Sequence, residues 1–175
     1  MRLQRVIGSV GLSASVLTAT CAAAAGSDRA QIAALLGRLK GTIMNKNAAA
    51  FRKLETPDFH SIAEGKSETG AELESTMRSG YQRIGKMRSV TVQQSGLKLK
   101  GKAATEEMVV VFVAELPSPA PHQKGATKAA QKLFKLKTTY HAELAKTGGV
   151  WKFRLLKVAN SRMNVNGTEV HFGGG

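Results

Sequence analysis

Few residues in this chain have types and spacing suited to chemistry. Asp58 and His60 stand two apart in an extended stretch and so share a face, which is the elementary arrangement of a base and its orienting acid. The competing account of Asp58 is ordinary turn chemistry after Pro57. Tyr140 lies on the apolar side of a long alternation, residues 133–144, where a buried phenol needs a hydrogen-bond partner. Trp151, Phe153 and Leu155 fall on one side of the following strand, able to line a hollow or to anchor a core. Tyr81 shares a helical face with Leu73, Met77 and Ile84, and Phe112 belongs to an apolar run, so both are candidates for the same hollow.

Other chemistries find no footing. His60, His122, His141 and His171 show no i, i+2 or i, i+4 pairing, and Cys21 is the only cysteine, so no metal site is expected. There is no phosphate loop and no Gly-x-Ser-x-Gly elbow, and no cofactor is expected. His141 alternates with Lys137 and Glu143 on the wet side of its strand, and His122 sits in a proline-rich stretch that reads as a loop.

The elements that must position these residues follow from the pattern. Arg2 and Arg5, an apolar run over residues 6–20 and the four alanines at 22–25 read as a secretory leader. The run is shorter than the ~20 residues that span a bilayer. Cleavage after residue 24 or 25 removes Cys21 and leaves a domain over 26–165 and a tail over 166–175. Ser27 and Asp28 read as the cap and first-turn acid of a helix whose stripe is Ile32, Leu35, Leu36, Leu39 and Ile43. Asn47 caps a short second helix stopped by Thr56-Pro57. A short strand over 59–64 ends at Gly65. Thr69 and Glu72 form a capping box that opens a third helix reaching about Ile84.

From residue 90 the period is two. A strand with a bend at Gly96 turns at Gly101-Lys102 into residues 103–116, where Met108 to Val113 are apolar at every position and need cover on both faces. After the loop at 117–129, the strand carrying Tyr140 turns at Gly148-Gly149 into a last strand over 150–160.

This order, with Thr56-Pro57-Asp58-Phe59, Gly65, Gly101-Lys102-Ala103 and Gly149-Val150-Trp151-Lys152-Phe153, resembles the nuclear transport factor 2-like superfamily, which includes ketosteroid isomerase and the SnoaL-like cyclases. The resemblance implies an α+β fold: a cone of curved antiparallel sheet closed by about three helices, hollow inside, with homodimerisation through the sheet supplying cover for Val109, Val111 and Val113. It also implies that a catalytic carboxylate would fall on Ala63 or, one residue on, Glu64, whose alternative role is a solvated strand end. No tyrosine precedes Tyr81, so the isomerase's first-helix donor is missing.

The net charge is +14, from 26 Lys and Arg against 12 Asp and Glu. That favours anionic partners, and for an exported chain an envelope surface fits better than nucleic acid, because the aromatics do not interleave with the basic residues as a base-stacking platform requires. The expectation is a periplasmic or secreted domain that binds a small apolar ligand or serves dimerisation without catalysis. The alternative is a cofactor-free isomerase or cyclase acting on a small apolar carbonyl compound by general acid-base chemistry.

Overall fold

The five apolar residues on one side of the first helix, Ile32, Leu35, Leu36, Leu39 and Ile43, are all buried, and they form the seam by which α1 (Ser15–Met44) lies on the sheet. The computed structural model describes residues 15–116 and 132–170, with side chains from residue 26 to residue 169. The helix begins ahead of Ser27, since alanine, the strongest helix former, fills the preceding turns. Ser27 and Asp28 are therefore interior to it rather than its cap. Asp28 has another task. Its Oδ1 accepts from Lys146 Nζ at 2.5 Å and from Trp151 Nε1 at 3.0 Å, and these bonds, Lys146 foremost, hold the carboxyl below its ordinary range. No helix among the described residues is long and apolar enough to cross a membrane.

Asn47 caps α2 (Ala48–Arg52) by accepting from the Ala50 amide at 2.9 Å. Thr56-Pro57 lies not at the end of that helix but inside β1 (Glu55–Ala63), which starts earlier than expected because Glu55 pairs with Phe153. A hairpin then forms that the local pattern does not announce. Glu64 and Gly65 both take positive φ, +51° and +76°, the two-residue turn that matches strand twist, and β2 (Lys66–Thr69) returns along β1. The capping box opens α3 (Gly70–Gln82) as expected, the Thr69 amide donating to Glu72 Oε2 at 2.7 Å.

Four long strands follow: β3 (Met87–Lys100), β4 (Ala103–Glu115), β5 (Leu133–Thr147) and β6 (Val150–Val165). The expected tail is partly ordered pairing, since β6 continues to Val165 and β7 (Thr168–Val170) folds back on it. The sheet is curved and unclosed. Its order is β2-β1-β6-β5-β4-β3, antiparallel except where β1 meets β6. This is the α+β cone with three helices on its inner face. The 117–129 loop, His122 and His171 lie outside the described residues.

Strand parity shifts where the register slips. Gly96 bends β3, with φ +64° and a register break between Ser95 and Lys98. In β6, Leu144 faces Phe153 while Glu143 faces Leu155, so Arg154 is the extra residue and Leu155 turns outward. Trp151 and Phe153 thus share the inner face with Leu156, not with Leu155. Both are buried at the closed end of the cone, where Phe153 stacks on Phe51 with centroids 6.5 Å apart.

The start of β1 holds a buried carboxylate. Glu55 accepts from Arg52 Nη1 at 2.6 Å through Oε2, while Oε1 has no partner. Burial raises its pKa, and Arg52 opposes the rise. Gly70 covers the pair, and a Cβ there would collide with Glu55 and Arg52. Gly70→Ala is expected to destabilise the protein by about 1–3 kcal/mol, because the displaced guanidinium leaves a buried carboxylate poorly satisfied. Urea unfolding measures this, and an unchanged midpoint would refute it.

Candidate functional site

Between the inner face of the sheet and the helices that cover it lies a cavity of about 300 Å³. Leu39 and Ile43 of α1 and Phe51 of α2 close one side. Leu73, Met77, Gly80 and Tyr81 of α3, with Ile84 beyond it, close another. The sheet contributes Ser61, Met108, Val110, Phe112, Phe134, Thr138, Tyr140 and Leu156, which alternate with outward residues as the pleat requires. Phe112 and Phe134 meet edge to face at 5.6 Å, fixing the wall between β4 and β5.

Four hydroxyls interrupt this apolar lining: Ser61, Tyr81, Thr138 and Tyr140. Thr138 Oγ1 lies 3.2 Å from Ser161 Oγ on β6. Burial pushes the Tyr140 phenol up, against a hydrogen bond from Thr138, and burial with Tyr140 nearby pushes Tyr81 up to about 12. Both phenols therefore remain protonated at neutral pH. Among the described residues the lining includes no carboxylate, imidazole or amine.

The candidate catalytic residues lie elsewhere. His60 and Asp58 do share a face, but it is the exposed one; His60 stands between Thr69 and Leu155 across the strands. Asp58 is held below its usual range first by the Thr56 hydroxyl. Glu64 occupies the tight turn between β1 and β2, exposed, with the backbone strain of a left-handed residue. The β1 residue that turns into the cavity is Ser61, on the same side as Phe59. Of the proposed pocket residues, Tyr140, Tyr81 and Phe112 line the cavity, whereas Trp151 and Phe153 pack behind it.

Ser61, Thr138 and Leu156 are lining residues that pattern reading passed over. A small polar residue on an apolar alternation was the available signal for the first two, and only the bulge at Arg154 reveals Leu156. Another group had no signal. Glu106 is 4 % exposed on the inner face of β4, where Gln94 Nε2 donates to Oε2 and Oε1 has no partner. Burial pushes its carboxyl up to about 7. It lies outside the cavity lining. Among the described residues no three His, Cys, Asp or Glu side chains gather as metal ligands.

No protein-family sequence model and no curated protein matches this chain by sequence. Solved structures do resemble it. The Kfla4162 protein of Kribbella flavida superposes with a TM-score of 0.63 at 16% identity, over 78% of this chain and 94% of the other. A Novosphingobium aromaticivorans protein named as a scytalone dehydratase gives 0.59 at 14% identity, over 84% and 90%. A nuclear transport factor 2-like protein of Cytophaga hutchinsonii gives 0.50 at 16% identity, over 74% and 95%. The chain has the nuclear transport factor 2-like fold.

Glu106 makes stability depend on pH. Its folded pKa lies above the unfolded value near 4.5, so its contribution is intact below pH 4.5 and is lost as pH rises through about 7. The loss is roughly 3 kcal/mol at most. Glu106→Gln removes it, so the melting temperature of the variant relative to the parent should climb between pH 5 and pH 8. A difference that stays flat over that range would contradict the assignment.

Proposed function

We propose that this is an exported, periplasmic or secreted domain that holds a small, largely apolar molecule in its cone without transforming it. One observation carries the reading: among the described residues the cavity presents apolar walls and four neutral hydroxyls, with no group that can take a proton near neutral pH. General acid-base catalysis on a carbonyl compound needs such a group within hydrogen-bond reach of the substrate. Glu64, His60 and Asp58 all face solvent, which weighs against the isomerase alternative. The leader over residues 1–25 supports export.

Size and energy define the ligand. An engineered apolar cavity of 150 Å³ holds benzene, so a space about twice as large suits a bicyclic ring or a chain of about ten carbons. Burying ten carbons yields about 8 kcal/mol, and association costs at least about 4 kcal/mol, leaving a Kd on the order of 1 mM before polar contacts. Hydroxyl contacts would then set orientation.

The same domain is proposed to pair with a second copy through the outer sheet face, where Val109, Val111 and Val113 are half-buried. Its positive charge would hold it near an anionic envelope surface.

1-Naphthol should bind with a Kd on the order of 0.1 mM by intrinsic fluorescence or calorimetry. Tyr140→Phe should weaken it about fivefold through loss of one hydrogen bond, and Leu73→Trp, which fills the cavity, at least about tenfold. Glu64→Gln and His60→Ala should leave it unchanged. Absence of saturable binding at millimolar ligand, or equal binding by the Leu73→Trp variant, would defeat the reading.

A further inference from the structure

The cavity shares part of its wall with a second recess of different chemistry. Tyr81 and Ile84, which line the apolar space, also line a depression of about 550 Å³ bounded by residues 45–49 and by Arg78 and Gln82. Among the described residues the cavity lining carries no charge, whereas the recess lining carries Lys46 and Arg78, three side-chain amides and no carboxylate.

Both cations are held in place with donors to spare. Lys46 takes a left-handed backbone conformation, φ +51°, just after α1. From there its Nζ donates to the carbonyls of Ile84 at 3.3 Å and Gly85 at 3.1 Å, beyond the end of α3. An ammonium has three donors, so one remains. Arg78 gives Nη2 to Glu74 Oε1 at 2.6 Å, and its guanidinium has further N–H groups unspent. Glu74 offsets one of the two positive charges, leaving a recess suited to a single negative charge. Tyr81, protonated because its phenol is pushed up to about 12, stands between the two spaces as a further donor.

We infer that the ligand is an amphiphilic monocarboxylic acid, its apolar body in the cavity and its carboxylate between Lys46 and Arg78. This rests on the cavity reading above and adds the headgroup. The carboxylate meets the geometry in three ways: it accepts from several donors at once, it carries one charge, and it sits at the wet end of an otherwise apolar ligand. An amine would be repelled, and a neutral alcohol would leave both cations unused.

Calorimetric titration of the full chain at low salt and pH 7.5 with decanoate and with 1-decanol tests this. Decanoate should bind about tenfold more tightly, as one charge-assisted contact allows, and added salt should weaken decanoate alone. Arg78→Gln should bring decanoate to within about threefold of decanol while leaving decanol unchanged. Lys46→Met should act likewise, and Lys46→Arg should keep the preference, which separates charge from any disturbance beyond α3. Equal affinities for the two probes, or an Arg78→Gln variant that weakens both alike, would overturn the headgroup assignment and leave the cavity reading standing. If neither probe binds, both fall.

Discussion

The structure depends on a mismatch between the apolar area of a long curved sheet and the helices available to cover it. β4, β5 and β6 contain 13, 15 and 16 residues, roughly 40–50 Å of strand. Among the described side chains the buried stripe of α1 runs from Ile32 to Ile43, and α3 has 13 residues, each roughly 20 Å of helix. At one end the helices meet the sheet and the core is filled, with Trp151, Phe153, Phe59 and Phe51 closing it. Farther along, the walls diverge and the inner face of β4 and β5 meets α3 across a space. The cavity is therefore a consequence of element lengths and sheet curvature, and its chemistry is whatever the inward residues of those strands happen to be.

Charge is distributed to keep that space neutral. The buried carboxylates belong to the frame: Glu55 pairs with Arg52, Glu106 is bound by Gln94 and Glu115 pairs with Arg88. Each sits at a strand where it ties neighbouring segments together, at the energetic cost that burial places on a charge. Asp28 does the same from the interior of α1, joining the helix to the β5–β6 hairpin through Lys146 and Trp151. Among the described residues, hydroxyls are the only polar side chains that reach the cavity. A hydroxyl can donate and accept, which lets it orient a polar atom of a ligand without supplying a base.

Most of the frame was legible because it depends on local periodicity. The α1 stripe, the Thr69–Glu72 capping box, the bend at Gly96, the turns at Gly101 and Gly148-Gly149 and the inward side of β5 each follow from residue spacing or from the conformational freedom of glycine. The β1–β2 hairpin was harder to see, since its turn places a non-glycine residue, Glu64, at positive φ. The start of α1 was misplaced because alanines carry the helix past a residue that would otherwise cap it.

The amino-acid order alone therefore determined the fold class, the core side of α1, α3 and β5 and the inward position of Tyr140. Only the tertiary structure decided which inward residues reach the cavity and which are sealed in the core, because both groups obey the same alternation and differ only in how far the covering helix stands from them. It also decided parity beyond the bulges. One extra residue at Arg154 sends Leu155 outward and Leu156 inward, and pairing in β1 brings Ser61 rather than Glu64 to the cavity. That exchange of a carboxylate for a hydroxyl rests on strand register, a property of the partner strand that no single segment contains.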